Sequence, residues 1–382
     1  MRVVVAGGGI GGLSATIALR RAGVEADLFE QREDVRATMV GGGFHLWPNA
    51  TRALEELGLA EAAREQGAAL ERTEFHSLKR GLLAVWPIAE IASEVGGFDV
   101  GISRAEVQQM LHDEVEPGAI NAGAELTGFE EDPEGMTVQF ADGREERADA
   151  LVGADGLRSA VRAQVLGAGD PDYSGYVQWQ TVVEDDGEGL GAGSERIVFG
   201  PGMRTVMHRV GGGRLFWACV LYCPDTEASR PEGRKAMLLE HFRDWPGPIG
   251  RVVEATPEEQ ITGLPIYDRK PVKEWGRGRV TLLGDAAHPM TTNTSQGGNQ
   301  AIEDGVVLAR CLSAEQDVAA ALRAYEERRI ARTTPLVKNS RWVTNLNGWS
   351  NPWRVAFRDR FFALGLPGKG LKDLRAAVGA EL

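Results

Sequence analysis

Cysteine is scarce in this chain of 382 residues, which contains only three of them. Cys219, Cys223 and Cys311 form no Cys-x-x-Cys pair and no Cys/His cluster at zinc spacing, so neither a disulfide framework nor a metal site is indicated. Uninterrupted apolar runs of roughly 18 residues, the length that spans a bilayer, are also missing. This pattern favours a globular protein of the reducing cytoplasm.

Positive charge is in deficit: 42 Lys and Arg stand against 55 Asp and Glu, which gives a net charge of -13. An acidic surface repels the phosphates of nucleic acids and the headgroups of anionic membranes. We therefore expect neither a nucleic acid nor a membrane as a partner. The length suggests two or three domains, given a prior of roughly 150 residues per domain.

The first 30 residues predict a strand, a helix and a second strand, at 3–6, 13–21 and 25–30. The first turn has the spacing Gly-x-Gly-x-x-Gly, formed by Gly7, Gly9 and Gly12. Glu30 ends the second strand. In this context the motif is typical of ADP-containing cofactors, because amides at the helix start meet a pyrophosphate and the carboxylate accepts from a ribose. A glycine-rich turn without a ligand is the alternative.

Later segments show two kinds of pattern. Apolar runs at 150–153 and 279–283 are typical of buried parallel strands, whereas residues 176–268 contain several β-rich runs. Asn49 is expected to be the N-cap of a helix, and the chain from residue 319 onward is mostly helical. We expect an α/β fold in which a Rossmann-like cofactor domain is interleaved with an antiparallel β-sheet domain and followed by a helical C-terminus.

Five further segments resemble the motifs of one enzyme family. They are the Gly-rich segment 40–50, Ile102-Ser103-Arg104 with Gln108, the Asp-Gly segment 152–159, the Gly-Asp segment 284–289 and the helix start 296–304. In order and spacing they are similar to those of the single-component FAD-dependent aromatic hydroxylases, the group A flavoprotein monooxygenases related to para-hydroxybenzoate hydroxylase. The resemblance extends from residue 1 to about residue 335.

The resemblance implies a division of the chain into three parts. The FAD-binding domain would comprise residues 1–72, 99–175 and 269–335, the substrate-binding β domain residues 73–98 and 176–268, and the C-terminal helical segment residues 336–382. The cofactor and substrate domains would therefore be interleaved along the chain.

It also implies a set of FAD-binding residues, which are Gly7, Gly9, Gly12, Glu30, Arg32, Arg104, Gln108, Asp155, Asp285, Gly297, Gly298 and Asn299. Asp285 would accept a hydrogen bond from a ribityl or ribose hydroxyl. The backbone amides at 297–299 would meet the pyrimidine edge of the flavin. Arg104 would oppose the pyrophosphate, and a surface helix arginine is the alternative.

The implied activity is hydroxylation of an aromatic or heteroaromatic small molecule. NADH or NADPH would reduce the flavin, O2 would give a C4a-hydroperoxyflavin, and the distal oxygen would pass to the substrate. A second Gly-x-Gly-x-x-Gly motif for the nicotinamide is not evident in the sequence, as the family leads one to expect. A reductase or oxidase of the same fold and a non-enzymatic flavoprotein are the alternatives. The assembly is expected to be a monomer or a homodimer.

Two histidines are candidate catalytic bases, because an imidazole with a pKa near 6.5 suits proton abstraction at neutral pH. His45 belongs to the segment that runs beside the flavin in the family, and His208 belongs to a strand of the β domain. A structural hydrogen-bonding role is the alternative for both. Trp179, Trp217 and Thr292 are candidate substrate-pocket residues, with packing in the sheet core as the alternative for the tryptophans.

Three positions depart from the family pattern. Thr292 stands where proline is usual, Ser295 where glycine is usual, and Gln180 where arginine is usual. The first two add hydroxyls and change the backbone constraint near the reacting carbon of the flavin. They are compatible with a more polar substrate or with a different flavin chemistry.

Overall fold

The computed structural model describes residues 1–35, 42–230 and 232–381, so the Gly-rich segment 40–50 begins outside the described residues. The first part of the chain contains, in order, β1 (Arg2–Ala6), α1 (Ile10–Arg21), β2 (Glu25–Glu30), β3 (Gly43–Leu46), α2 (Pro48–Glu56), α3 (Ala60–Gln66), β4 (Ala68–Ala69), β5 (Arg72–Ser77), β6 (Gly81–Trp86), α4 (Ile88–Val95), β7 (Val100–Ser103), α5 (Arg104–Glu114), β8 (Ile120–Ala122), β9 (Leu126–Asp132), β10 (Gly135–Phe140), β11 (Glu145–Ala148), β12 (Ala150–Gly153) and α6 (Ala160–Leu166). The second part contains β13 (Asp172–Glu184), β14 (Ser194–Gly200), β15 (Met203–Val210), β16 (Arg214–Leu221), α7 (Arg234–Phe242), α8 (Ile249–Ala255), β17 (Thr262–Asp268), β18 (Val280–Leu282), α9 (Gly297–Ala314), α10 (Val318–Asn347), α11 (Pro352–Gly365) and α12 (Leu371–Gly379).

A five-stranded parallel sheet has the order β18-β12-β1-β2-β8. Strands β1 and β12 are buried along almost their whole length, which agrees with their continuous apolar sequences. The predicted strand-helix-strand unit is therefore present. Its glycine turn lies at the carboxyl edge of the sheet, where ligands of open α/β folds bind.

Helix α9 packs closely on α1 because glycines lie at the contact. A Cβ atom on Gly305 would lie 2.7 Å from the backbone nitrogen of Ala15, and one on Gly11 would lie 3.3 Å from the Cβ atom of Ala301. Neither space admits a larger side chain without a shift, so the backbones approach directly. This packing brings the N-terminus of α9 to the same edge of the parallel sheet as the glycine turn.

The second large sheet has the order β17-β13-β16-β15-β14-β5-β6 and is antiparallel except for the pair β14 and β5. One face packs against α7 and α8 in a core that includes Leu238 and Phe242. The other face meets β3, because a Cβ atom on Gly43 would overlap the ring of Phe216. Strand β3 also faces α9, since the ring of Phe44 lies against Gly298. It therefore lies between the second sheet and the start of α9.

One local expectation is wrong. Asn49 is not the N-cap of α2, because the helix begins at Pro48 with Trp47 as its N-cap, and proline is favoured at the first helical position. The side chain of Asn49 is instead fully buried and donates to Gln296 Oε1 at 3.2 Å.

Among the described helices, none combines the length and the apolar character needed to cross a membrane.

Candidate functional site

The glycine turn after β1 requires glycine at two of its three motif positions. Gly7 has a φ of +110°, and a Cβ atom on it or on Gly12 would overlap the backbone of Ala154 or of Gly7, respectively. A Cβ atom on Gly9 would meet no protein atom within 4 Å. The turn therefore holds its shape through Gly7 and Gly12, and the side of Gly9 is open to a ligand.

Two buried side chains, those of Glu30 and Gln108, form hydrogen bonds with the backbone of this turn. Glu30 Oε2 accepts from the Gly8 amide at 2.7 Å, and its Oε1 accepts from the Arg32 amide at 3.0 Å. Gln108 Nε2 donates to the carbonyl oxygen of Gly8 at 3.0 Å. Each carboxylate oxygen of Glu30 keeps a second lone pair, so it can still accept from a ligand hydroxyl.

Asp155 follows β12 and touches the same turn. Its Oδ2 accepts from the Ala160 and Val161 amides at 2.8 and 3.2 Å and so caps α6. Its Oδ1 is buried and has no hydrogen-bond partner among the described residues. Burial raises the pKa of this carboxyl, and hydrogen bonds from Ser159 and from the backbone oppose the rise. The side chain can serve packing and a ligand at once.

Asp285 and Arg104 interact electrostatically. Burial raises the pKa of Asp285, while His288 and Arg104 oppose the rise. Burial likewise lowers the pKa of Arg104, and the charge of Asp285 opposes that fall. Asp285 is nevertheless accessible to solvent, so it lies in a cleft that protein closely surrounds.

The first turn of α9 lies next to Asp285. A Cβ atom on Gly297 would lie 3.9 Å from Asp285 Oδ1. The Asn299 side chain, which is fully buried, accepts from the Trp47 amide and donates to the carbonyl oxygen of His45, both at 3.0 Å. Asn299 thus joins the end of β3 to the start of α9 through its side chain.

These groups form one cleft whose chemistry fits FAD. The open side of Gly9 and the N-terminus of α1 suit a pyrophosphate, Arg104 adds a positive charge, and the start of α9 adds further amides. Asp285 and the unpaired Oδ1 of Asp155 suit hydroxyl groups. All of the glycine, acidic and basic positions are those that the sequence motifs indicated.

A polar wall adjoins this cleft on the second sheet. Thr292, which solvent can reach, has its Oγ1 2.9 Å from Gln178 Oε1, 3.1 Å from Tyr176 Oη and 3.4 Å from Arg204 Nη2. Arg204 is buried, and its Nε has no hydrogen-bond partner among the described residues. Of the residues named from sequence for the pocket, Thr292 therefore faces a polar surface at the cleft.

Trp179 and Trp217 do not line this wall, which corrects the sequence-based assignment. Both are completely buried in the core against α7 and α8, and Trp217 Nε1 donates to Thr256 Oγ1 at 3.2 Å. Successive residues of a strand point to opposite faces, so Gln178 and Phe216, their neighbours in the chain, face the cleft instead. Packing in the sheet core, the alternative reading, describes the tryptophans.

His45 and His208 lie together in the interior, with ring centroids 6.4 Å apart. His45 Nε2 is 3.0 Å from Asp99 Oδ1, and its Nδ1 is 3.5 Å from Glu195 Oε1. Although burial lowers the pKa of His45, the two carboxylates outweigh it and raise the pKa to about 9. A group that is already protonated at neutral pH cannot accept a proton, so these contacts do not fit the base role suggested for His45.

The pKa of His208 is shifted in the opposite direction to that of His45. Burial lowers its pKa, with Glu195 opposing and His45 reinforcing the fall. Its Nδ1 lies 3.1 Å from the carbonyl oxygen of Arg209, which fits a neutral ring with the proton on Nδ1 and a lone pair on Nε2. The ring lies 5.0 Å from that of Phe216, on the face of the sheet that meets β3.

Sequence reasoning missed the wall residues Tyr176, Gln178, Arg204 and Phe216. The available signal was the alternation along β13 and β16, because once the tryptophans are assigned to the core their neighbours must face the other way. Nothing in the sequence alone indicated which of the two faces meets the cofactor domain.

The profile of one protein family, described as an FAD binding domain, matches residues 1–340 of this chain. Aurachin C monooxygenase/isomerase of Stigmatella aurantiaca is 39% identical over 364 residues, which cover 95% of this chain and 94% of that protein. The FAD-dependent urate hydroxylase of Klebsiella pneumoniae subsp. pneumoniae is 34% identical over 344 residues, which cover 89% of each. The crystal structure of Klebsiella pneumoniae HpxO complexed with FAD and uric acid has a TM-score of 0.91 at 29% identity, and the match covers 99% of this chain and 96% of that chain.

Proposed function

Because the chain belongs to the FAD-binding-domain family of group A flavoprotein monooxygenases, we propose that it hydroxylates an aromatic or heteroaromatic small molecule, with O2 and with NADH or NADPH as the electron donor. The protein is an FAD-dependent oxidoreductase. One observation supports the substrate class most directly: a buried polar wall meets the FAD cleft at Thr292.

We infer that the cofactor residues are those indicated by the motifs, in two groups. Direct contact is assigned to Gly9, Glu30, Arg32, Arg104, Asp155, Asp285, Gly297 and Gly298. Gly7 and Gly12 give the turn the shape that admits the cofactor. Gln108 and Asn299 act mainly by holding the glycine turn and the start of α9, because their side chains are committed to backbone groups there.

Bound FAD supplies the activation of O2 and the transfer of one oxygen atom. The protein contributes three things. Amides at the start of α9 favour negative charge at the adjoining edge of the flavin, the packed face of the second sheet limits access of water, and the wall residues orient the substrate ring.

The wall favours a ring that bears a carbonyl, hydroxyl or carboxylate group. The guanidinium of Arg204 is a donor in a buried setting, where hydrogen bonds to a charged group contribute about 1.5–3 kcal/mol. Gln178 and Thr292 can donate or accept, and the ring of Phe216 offers an apolar surface for the substrate ring. Thr292 replaces an apolar proline of the family pattern, which increases the polarity of the wall.

Of the two histidines, we retain His208 as the candidate base that would take a proton from a ring hydroxyl. Its low pKa keeps it neutral at pH 7, and its Nε2 can accept. His208→Gln is expected to slow hydroxylation and to flatten its pH dependence while FAD stays bound. An unchanged pH profile would remove His208 from this role.

The test of the activity is aerobic oxidation of NADH and of NADPH by the FAD-loaded protein, with and without phenols, aromatic acids, purines and quinolines, followed by mass analysis. The expected result is faster oxidation and a product heavier by one oxygen atom. Arg204→Gln should then raise KM roughly tenfold to a hundredfold, as loss of a charged hydrogen bond predicts. Arg230→Gln, at a surface pair with Glu227, is the matched control.

Accelerated oxidation of NADH or NADPH that yields hydrogen peroxide and no oxygenated product, across the panel, would contradict the proposal and favour an oxidase or reductase.

The cytoplasm is the proposed location, in keeping with three free cysteines. The proposed assembly is a monomer or a homodimer.

A further inference from the structure

Helix α11 buries an ion pair on the side that faces the protein and exposes large apolar side chains on the other side. Its inward side carries the ion pair of Arg358 and Asp359, which are 0% and 1% exposed. Arg358 Nη1 donates to the carbonyl oxygen of Gly200 at 3.0 Å, and Asp359 accepts from the hydroxyl of Ser77. The helix is thus anchored to the protein by this ion pair together with the buried side chains of Val355 and Phe362.

The outward side of α11 is aromatic and aliphatic. Trp353 is 85% exposed, Phe357 63%, Phe361 41% and Leu364 70%. They recur at helical spacing on one side, and the rings of Phe357 and Phe361 stack with centroids 6.5 Å apart. Trp342 of α10, which is 47% exposed, extends this side through an edge contact with Phe361 at 5.8 Å.

These five residues form one surface, which we name the aromatic surface. Single exposed apolar residues are ordinary, but a contiguous group of large ones marks an interaction site. Since α11 is anchored by its other side, the fold does not need these side chains on the outside. Their exposure points to a partner with an apolar interior.

The charge around the aromatic surface differs from that of the whole protein. Residues 338–375 contain eight Lys and Arg and two Asp, in a chain of net charge -13. Four of these cations, Arg341, Arg358, Lys369 and Arg375, are paired with carboxylates. Arg354 and Arg360 border the exposed side of α11, and within the described residues neither has a carboxylate partner. Lys338 lies one turn before Trp342 on the exposed side of α10. Arg354, Arg360 and Lys338 therefore place positive charge beside the apolar side chains.

A second copy of this chain fits this surface poorly. In a two-fold dimer the same surface meets itself, so the unpaired arginines of one copy would approach those of the other. An apolar helix side bordered by Lys and Arg, with tryptophan at its edge, suits the interface of a bilayer that carries anionic lipids. We propose that the aromatic surface of α10 and α11 docks this protein on an anionic lipid membrane, with α11 lying in the plane of the headgroups.

The test is co-sedimentation of the FAD-loaded full chain with vesicles of phosphatidylcholine alone and of phosphatidylcholine with phosphatidylglycerol. We expect binding to the anionic vesicles at least tenfold tighter than to the neutral ones, and weakened by salt. The double variant Trp353→Ala/Phe357→Glu should reduce that binding at least tenfold. Both side chains are exposed, so its FAD content should equal that of the wild type.

Ala163→Glu, which adds the same charge at an exposed position of α6, is the matched control and should bind like the wild type. Equal binding to both kinds of vesicle would overturn the proposal, as would binding that the double variant retains. Absence of vesicle binding, with a dimer in light scattering that the double variant converts to a monomer, would overturn it in favour of self-association. Absence of vesicle binding by a monomer would overturn it outright.

Discussion

The imidazole of His45 lies 3.0 Å from Asp99 Oδ1, and both side chains are 1% exposed. Glu195 approaches the other ring nitrogen from β14 of the second sheet and accepts from Thr73 at 2.9 Å. One imidazolium therefore joins two carboxylates across the boundary between β3 and the second sheet. Since Asn299 holds the backbone of His45 to α9, this contact also connects the second sheet to the start of α9.

Replacing His45 with a neutral side chain should lower the free energy of unfolding. His45→Gln leaves Asp99 and Glu195 buried without a positive partner, and breaking a buried ion pair costs about 3–5 kcal/mol. Urea unfolding of the FAD-loaded protein at pH 7 measures the loss. His76→Gln, which removes a half-buried histidine paired with Glu74, should cost less than about 1 kcal/mol. Equal losses in the two variants would contradict a special contribution of His45.

The contribution of His45 to the stability of the folded protein should decrease as the pH rises. Its pKa in the folded protein, about 9, exceeds the ordinary value of 6.5, so folding binds the proton more tightly. The stabilisation is complete below pH 6.5 and is lost as the pH rises through 9. The free-energy difference between the wild type and His45→Gln should therefore shrink over this window. Asp99, Glu195 and His208 are the ionisable groups that face His45. A constant difference would show that His45 is neutral in the folded state.

Gly9 and Gly12 should respond differently to the same small change. Gly9→Ala places a methyl group where no protein atom lies within 4 Å, so the apoprotein should keep its stability and lose FAD affinity. Gly12→Ala would push a methyl group into the backbone of Gly7, so both stability and affinity should fall. FAD titration by flavin fluorescence and urea unfolding of the apoproteins provide the two measurements. Unchanged FAD affinity of Gly9→Ala would contradict a pyrophosphate at this position.

The sequence was sufficient where the determinants are local. The glycine turn, Glu30 and the start of α9 follow from motifs that each lie within one short stretch of the chain, and the contact between Gly8 and Glu30 spans only 22 residues. It was insufficient for the substrate wall, because alternation along β16 shows that Phe216 and Trp217 face opposite ways without showing which way is inward. The composition is an average in a similar manner: a net charge of -13 does not show where unpaired cations such as Arg354 and Arg360 lie.

The pair Phe216 and Trp217 offers a direct test of this assignment. Phe216→Leu changes the side that meets Gly43 and the cleft, so KM for the aromatic substrate and the coupling of NAD(P)H oxidation to product should change. Trp217→Phe changes the core against α8 and loses the hydrogen bond to Thr256, which should cost about 1–3 kcal/mol of stability with KM unchanged. The opposite pattern, with KM altered only in Trp217→Phe, would restore the tryptophan to the pocket.

Ser295 offers the last prediction, because the family pattern has glycine at this position. Its φ is +50°, and within the described residues it is the only non-glycine residue with a positive φ. A left-handed backbone costs a residue with a Cβ atom about 1–2 kcal/mol, and the greater freedom of glycine in the unfolded chain offsets part of the gain. Ser295→Gly should therefore stabilise the protein by about 0.5 kcal/mol in urea unfolding, and its carbonyl oxygen still accepts from Asn299. Ser313→Gly, in the last turn of α9, should instead destabilise by about 0.5 kcal/mol because glycine disfavours helix. If both variants lose stability equally, the hydroxyl of Ser295 contributes more than its backbone strain costs.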